Sequence, residues 1–281
     1  MHIFKIKSYA KINLALNVVG KKTKLHKIES IISFIDLHDL IYLKQISTKN
    51  HKVLFKGRYS KNINKRNTVT SLLKILDKKN FLNNKKFQIT IIKNIPQEAG
   101  MGGGSMNAAS LIRFFISKKI IKLNKNELIN LTSKIGSDVI LGVKLNNTIL
   151  SSDGKIKRFD KSIKLHILVV KPDFGCSTRY IYSKVRKFTK AQFNSPAESI
   201  FKIKKLIGLN NDLEKIAFHK YPKLEKIKSF LLTMPDNIFV RMSGSGSSIV
   251  AYFYSKNDCV NAYKLFRREF NGNWCITSKT I

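Results

Sequence analysis

A cluster of glycines near residue 100 is the first feature of this sequence that could do chemistry. Gly100, Gly102, Gly103 and Gly104 fall within five positions, and Ser105 and an Ala-containing, helix-favouring stretch follow them. Glycine adopts φ values that other residues avoid and lets a ligand approach the backbone closely. A helix that begins directly after such a loop presents unpaired N–H groups and the positive end of its dipole. The pattern therefore predicts a cradle for an anion.

The cluster differs from the best-known phosphate loops. A Walker A loop would need a Lys followed by Ser or Thr, which is absent here. A dinucleotide fingerprint would need a third glycine where Ser105 stands. The chain also lacks the H-R-D and D-F-G sequences that accompany a protein-kinase glycine loop. Taken alone, the cluster indicates either an anion site or a plain glycine turn.

The charge balance is the most unusual global property. The 281 residues include 53 Lys and Arg against 17 Asp and Glu, a formal net charge of +36, and 44 of the basic residues are lysines spread along the chain. Such an excess would suit a nucleic-acid binder. However, no arginine-rich recognition helix or aromatic-and-basic RNA motif accompanies it. We interpret the lysines as a solvated surface and expect no specific nucleic-acid partner.

Cysteine usage and hydropathy indicate the cellular location of the protein. Cys176, Cys259 and Cys275 are widely spaced and form no C-x-x-C, which argues against a disulfide framework and a thiolate zinc site. No run reaches the roughly 18 apolar residues of a membrane helix. We therefore expect a cytoplasmic protein without a membrane partner, and nothing in the pattern specifies an oligomeric state.

The elements around the glycines follow from hydrophobic periodicity. "AKINLALNVVG" alternates and predicts a strand closed by a turn at Gly20, and "SIISFIDLHDLIYLKQI" continues in β-rich composition. "NTVTSLLKILDKKN" predicts a helix, and "KKFQITIIKNIP" predicts a strand that Pro96 stops. The helix after the glycines has one predicted apolar face, formed by Ala108, Leu111, Ile112, Phe115 and Ile116.

The pattern of the remaining residues predicts a further α+β arrangement. "NKNELINLTSKIG" is helical, "KLHILVVKP" is a strand, and a lysine-rich helical region runs from Ser195 to Met234. "NIFVRMSGSGSSIVAYFYS" predicts two strands around a glycine turn, and "NWCITSK" a last strand. Between them lies an amphipathic helix whose apolar face holds Cys259, Tyr263, Phe266 and Phe270.

Four motifs in a fixed order make the pattern specific. "SYAKINLALNVVG", "IPQEAGMGGGSMNAASL", "IGSDV" and "RMSGSGSSIVAYF" occur in the order seen in GHMP kinases, and the resemblance covers nearly the whole chain. It implies a two-domain α+β fold. The N-terminal, ATP-binding domain, expected at residues 1–158, would contain a left-handed βαβ crossover, and the C-terminal domain, expected at residues 159–281, would be ferredoxin-like.

The resemblance also implies an activity. Among GHMP kinases the chain closely resembles those that use ATP and Mg²⁺ to phosphorylate the 2-hydroxyl of 4-diphosphocytidyl-2-C-methylerythritol in the non-mevalonate isoprenoid pathway. The partner would be a small molecule with a cytidine diphosphate moiety. Two alternatives stay open, namely a GHMP kinase for another small alcohol and a basic nucleic-acid-binding protein on an inactivated kinase scaffold.

Residue roles carry over where the motifs match. Asp138 matches the family's catalytic base and Lys11 its catalytic lysine, which would keep that carboxylate ionised or polarise the substrate hydroxyl. Without the resemblance, Asp138 could be a helix or turn cap, and Lys11 one more surface lysine. The implied ATP cradle consists of Pro96, Ala99, Gly100, Met101, Gly102, Gly103, Gly104, Ser105 and Met106. The Ser105 hydroxyl is a candidate magnesium ligand, and the implied substrate contacts are Asn13, His26, Thr178, Tyr182, Gly244 and Gly246.

Several positions depart from the family pattern. Glu98 replaces a small residue, commonly glycine, inside the phosphate loop, and we expect its carboxylate to point to solvent if ATP binds well. Met106 replaces a serine of the cradle. Leu25 stands where a tyrosine usually precedes His26, which removes one side of the expected aromatic sandwich around cytosine. Ile140 and Gly142 replace a proline and an aromatic residue after the catalytic aspartate.

Overall fold

The computed structural model of the chain describes residues 2–23, 25–161 and 163–281. It forms two compact units, each built from separate segments of the sequence. Unit 1 comprises the described residues of Met1–Lys11, Leu37–Gln97 and Gly102–Leu145. Unit 2 comprises those of Ile12–Asp36, Glu98–Met101 and Asn146–Ile281. The predicted domain bounds, 1–158 and 159–281, remain a prediction.

The first part of the chain contains six strands and three α-helices among its described residues. In order these elements are β1 (Phe4–Lys22), β2 (Leu25–Ile46), β3 (Lys52–Lys56), α1 (Thr68–Lys78), β4 (Lys86–Ile92), α2 (Gly103–Ser117), α3 (Lys125–Ile135), β5 (Asn147–Leu150) and β6 (Ile156–Phe159). A 3₁₀ turn at Leu141–Val143 follows α3. The predicted helices and strands of this part are confirmed, except that β1 continues past Gly20 to Lys22 before the chain turns at Thr23, which has φ +46°.

Unit 1 is a sheet covered on one face by helices. β4 pairs antiparallel with β2 and parallel with β3, so β3, α1 and β4 form the expected βαβ crossover. Alternate residues of these strands, such as Ile89 and Ile91, pack with α1 and α2 into one core. On α2, four of the five residues of the predicted apolar face are buried, but Ile116 is 36% exposed because it lies at the helix end.

The second part of the chain supplies most of unit 2. Its elements are β7 (His166–Lys171), α4 (Thr178–Ser183), α5 (Ile203–Ile207), α6 (Glu214–Lys220), α7 (Pro222–Leu232), β8 (Asn237–Met242), β9 (Ile249–Phe253), α8 (Lys256–Glu269) and β10 (Trp274–Lys279). The continuous helical region predicted from Ser195 to Met234 is wrong. It is a series of short helices, interrupted at residues 208–213 and again before Pro222, which starts α7.

The later strands form an antiparallel sheet in the order β10-β7-β9-β8. With helices between β7 and β8 and between β9 and β10, this is the βαββαβ order of a ferredoxin-like fold, as predicted. Helices α6, α7 and α8 share its apolar core, in which Cys259 and Phe266 are buried.

In the same unit, β5 pairs with the first part of β2 and with β6.

All three cysteines are free thiols. Among the described residues, no helix has both the length and the apolar character needed to cross a lipid bilayer.

Candidate active site

Lys11 and Asp138 come together in unit 1. Helix α3 ends at Ile135, and Asp138 lies in the turn that follows, where its Oδ2 is 3.5 Å from Lys11 Nζ. The Lys11 side chain is 6% exposed and that of Asp138 36%. Ile140, rather than Asp138, takes the N-cap position of the following 3₁₀ turn. The carboxylate therefore faces a buried ammonium and stays accessible to a ligand, which fits the role of a base better than that of a cap.

The N-terminus of α2 lies beside this pair. Gly102 is the N-cap residue with φ +67°, and a Cβ atom there would lie 3.1 Å from Lys11 Cγ and Cε. Gly102 is therefore needed both for its backbone conformation and for the passage of the lysine stem. The first turn carries no acidic residue, and the Met106 N–H already donates to Gly102 O at 2.9 Å. The amides left to meet an anion are those of Gly103, Gly104 and Ser105.

Two further side chains, which the sequence reasoning missed, line the same helix start. A Cβ atom on Gly103 would lie 3.3 Å from Lys93 Nζ, so this ammonium is close to the first residue of α2. The Thr68 hydroxyl donates to Gly104 O at 2.6 Å and ties α1 to α2. Lys93 comes from a Lys-Asn-Ile-Pro stretch whose pattern signals only the end of a strand, so no local feature distinguishes it from the other lysines.

Met106 and Gly142, two departures from the family pattern, pack against each other. A Cβ atom on Gly142 would lie 2.7 Å from Met106 Sδ, and Met106 is 1% exposed. The larger residue at 106 therefore fills the space that the small residue at 142 leaves. Ser105 is separate from this packing, because its Oγ lies 3.7 Å from the Cβ position of Gly136, just before Asp138.

Ala99, Gly100 and Met101 of the predicted cradle belong to unit 2, whose boundary falls between Met101 and Gly102. Residues 243–248, between β8 and β9, bind its backbone. Ser247 N–H donates to Glu98 O at 3.2 Å, Ser248 N–H to Ala99 O at 3.3 Å and Ser243 Oγ to Gly100 O at 3.0 Å. Pro96, the first residue of the predicted cradle, is buried in unit 1.

Four of the predicted substrate residues gather around the same glycine turn. Asn13 N–H donates to Ser243 Oγ at 3.3 Å, and Thr178 Oγ1 lies 2.8 Å from Ser245 Oγ. Gly244 and Gly246 have φ +56° and +84°. The "SGSGSS" turn therefore joins β1, α4 and the loop residues 98–100, and is more than a hairpin connection.

His26 and Tyr182 form a separate pair in unit 2. Their ring centroids are 5.3 Å apart with the planes tilted by 39°, which leaves both rings able to contact a planar ligand. Burial and the positive charge of Lys21 lower the pKa of His26, so its imidazole is neutral near pH 7. Leu25 is 77% exposed and adds no ring to the pair, in line with the missing tyrosine.

Glu98 has a left-handed backbone with φ +49°, which explains why a glycine would be favoured at this position. Its side chain is exposed and lies against Gly175, where a Cβ atom would be 2.3 Å from Glu98 Oε2.

We predict that Glu98→Gly leaves the Kd for Mg-ATP within about twofold, because a solvent-exposed charge is screened. Calorimetric titration with Mg-ATP measures this, and Glu98→Gln separates charge from backbone effects. Binding that tightens about tenfold would show that the carboxylate repels the phosphates.

In the described ranges, no three His, Cys, Asp or Glu side chains lie together as a metal site. The donors near α2 are amides, ammonium groups and hydroxyls, a set that suits phosphate oxygens. Mg²⁺ commonly keeps one or two protein ligands and takes the rest from phosphates and water. The residues present fit a magnesium ion that arrives with a nucleotide.

Comparison with known proteins identifies relatives over the whole chain. Residues 67–146 match the family model of the GHMP kinase N-terminal domain. The chain is 63% identical over 281 residues, the full length of both proteins, to a 4-diphosphocytidyl-2-C-methyl-D-erythritol kinase of Pelagibacter ubique. It is 32% identical to the enzyme of that name from Clostridium tetani, over 99% of this chain and 100% of the relative.

Solved structures agree in fold. A crystal structure of a 4-(cytidine 5'-diphospho)-2C-methyl-D-erythritol kinase superposes with a TM-score of 0.80 at 22% identity and covers 99% of both chains. A homoserine kinase from Cytophaga hutchinsonii superposes with a TM-score of 0.71 at 15% identity and covers 100% of this chain and 95% of the other. The two-domain GHMP kinase fold of mixed helices and sheets is therefore confirmed.

Proposed function

The chain belongs to the 4-diphosphocytidyl-2-C-methyl-D-erythritol kinases of the GHMP kinase family, and we propose that it transfers the γ-phosphoryl group of ATP to the 2-hydroxyl of 4-diphosphocytidyl-2-C-methyl-D-erythritol. One observation carries the proposal for the residues. A carboxylate able to act as base, an ammonium beside it and the amide-rich start of a helix are adjacent in unit 1.

Asp138 accepts the proton of the substrate hydroxyl as that oxygen attacks the γ-phosphorus. A positioned base of this kind contributes about 10²- to 10⁴-fold to the rate. Lys11 Nζ, 3.5 Å away, places a positive charge beside the carboxylate, where it can also polarise the substrate hydroxyl.

The start of α2 holds the phosphates. Phosphoryl transfer depends mostly on positioning and on neutralising the charge of the moving group. The amides of Gly103, Gly104 and Ser105, together with the helix dipole, supply fixed positive potential for this purpose. Magnesium would be held by the ATP phosphates with Ser105 as the candidate protein ligand, and its chemistry is to neutralise phosphate charge.

The residues implied to contact the cytidine diphosphate part of the substrate are Asn13, His26, Thr178, Tyr182, Gly244 and Gly246. Tyr182 and His26 would stack on the cytosine ring, a contact worth about 1 to 3 kcal/mol in comparable base–aromatic pairs. A neutral His26 can also donate or accept one hydrogen bond with the base. Asn13, Thr178 and the backbone at Gly244 and Gly246 would bind the polar remainder of the substrate.

We place the reaction in the cytoplasm, since the three thiols are free and a reducing compartment keeps them so.

The test is ADP release by the purified protein with Mg-ATP, with and without the diphosphocytidyl substrate, at about 150 mM salt, where the Debye length is about 8 Å. We expect release that depends on the substrate, and a product whose phosphorus spectrum shows a new monoester at the 2-position. ATP binding without substrate-dependent turnover would overturn the substrate assignment and favour a GHMP kinase for another alcohol. Salt-resistant, saturable duplex-DNA binding without any ATP turnover would favour the inactivated-scaffold alternative.

A further inference from the structure

A buried carboxylate lies beneath the helix start in unit 1. Asp39, on β2, is 0% exposed, and its Oδ2 accepts from Lys93 Nζ, which is 4% exposed. Its Oδ1 accepts from the backbone N–H of Asn94 at 2.7 Å and of Ile95 at 2.9 Å. Both carboxylate oxygens are therefore engaged by the three consecutive residues that follow β4.

These three residues lead directly into the glycine-rich loop. Pro96 comes next, and a Cβ atom on Gly103 would lie 3.1 Å from Ile95 Cγ2 as well as 3.3 Å from Lys93 Nζ. The segment that Asp39 binds thus packs on the first residue of α2. The Asn94 side chain adds a bond to His38 O at 3.0 Å, so the chain leaving β4 is fixed to β2 by side chain and backbone together.

The chemistry of the Asp39–Lys93 pair favours a role in fixing the position of the chain over a role in neutralising phosphate charge. A lysine held by a carboxylate contributes little net charge to the cradle, so its value as a phosphate counter-ion is small. An ion pair taken out of water is weak evidence of stabilisation, because desolvation offsets much of the attraction. Backbone amides directed at one carboxylate, however, fix the local chain geometry, and a misplacement of about 1 Å in a site can lower the reaction rate about 100-fold.

We propose that Asp39 is a positioning residue for nucleotide binding: it fixes Lys93, Asn94 and Ile95, and through them the start of α2 that receives the phosphates. The proposal rests on the proposed use of ATP but not on the identity of the alcohol. Asp39 itself does not touch the nucleotide.

The experiment compares the two ends of β4. Asp39→Asn keeps the size of the side chain but loses the charge and one acceptor. Asp77→Asn is the matched control in the same unit: Asp77 pairs with Lys86 at 2.8 Å, at the start of β4, away from the helix start. The readouts are the Kd of Mg-ATP by titration calorimetry, kcat and KM for each substrate, and the midpoint of thermal unfolding.

We expect Asp39→Asn to weaken Mg-ATP binding by about 10-fold, which corresponds to about 1.4 kcal/mol, with the KM of the alcohol substrate unchanged. Asp39→Glu, which keeps the charge, should recover part of the affinity, and Lys93→Met combined with Asp39→Asn should weaken binding less than the product of the single effects. Asp77→Asn should lower the unfolding midpoint and leave the Kd unchanged.

Equal Mg-ATP affinities of the folded Asp39→Asn variant and the wild type would overturn the proposal and leave Asp39 a purely structural residue. Equal losses of affinity in Asp39→Asn and Asp77→Asn would do the same. A wild type that binds Mg-ATP without phosphorylating the diphosphocytidyl alcohol refutes the proposed substrate, while the Kd comparison still tests Asp39. A wild type without ATP binding refutes both.

Discussion

Asp138→Asn is expected to lower kcat by about 10²- to 10⁴-fold while leaving the Kd of Mg-ATP nearly unchanged. Asparagine has the same shape but cannot accept the proton of the substrate hydroxyl. The carboxylate lies 3.5 Å from Lys11 Nζ and is one-third exposed, so its loss should affect the chemical step more than the fold. Steady-state ADP release and calorimetric titration with Mg-ATP measure the two quantities separately.

Asp153→Asn provides a control that also removes a carboxylate facing a lysine. Asp153 Oδ2 lies 2.7 Å from Lys155 Nζ on an exposed turn. This variant should keep wild-type kcat, because Asp153 is not among the residues proposed for the site, and it should keep its stability, because an exposed ion pair contributes little. An Asp138→Asn enzyme with unchanged kcat would show that another group is the base. A variant that loses ATP binding together with turnover would show that the carboxylate supports the nucleotide site.

Gly100→Ala is expected to destabilise the protein by at least about 3 kcal/mol, from an unfavourable left-handed residue and the loss of backbone contacts. Gly100 has φ +70°, and a Cβ atom there would lie 2.0 Å from Ser243 O. Because that atom is backbone, the "SGSGSS" turn would have to move away from the loop it binds. The hydrogen bonds from Ser243 Oγ to Gly100 O and from Ser248 N–H to Ala99 O would then weaken or break.

The matched control for this substitution is Gly154→Ala. Gly154 has φ +84°, similar to Gly100, but nothing lies within 4 Å of its Cβ position. It should therefore show only the conformational cost, about 1 to 2 kcal/mol. Urea unfolding of both variants gives the comparison. Equal free energies of unfolding for the two variants would contradict the close approach at Gly100.

The sequence allowed most of the fold to be predicted, because long periodic segments carry a strong signal. Helices α1 and α8 and strands β1, β2 and β4 are such segments. The short strands β3, β5 and β6, of four or five residues each, were missed because segments this short carry little periodicity. β3 and β5 also depend on pairing with distant residues of β4 and β2. The region after Ser195 looked helical by composition. There Asn211 donates instead to Met242 O and Gly244 O, and this tertiary contact interrupts the helical path.

Some residues of the candidate site could be predicted from the sequence and others could not. Lys11, Asp138 and the glycines were predicted because they lie in ordered motifs, and the structure brings Lys11, Asp138 and Gly102 together. Their roles remain proposals that the experiments above test. Asp39 and Lys93 had no local signal, since a buried pair 54 positions apart is visible only after folding.

The interleaved order of the two units has a consequence during synthesis on the ribosome. All segments of unit 1 have been made once residue 145 is added, whereas the segments 12–36 and 98–101 of unit 2 must wait for residues 146–281. Leu16, which exchanges backbone hydrogen bonds with Asn210 and Asp212, is therefore made long before its partners. At the usual rate of translation the delay is on the order of ten seconds. During that time Leu16 lacks the two backbone partners that it has in the folded chain.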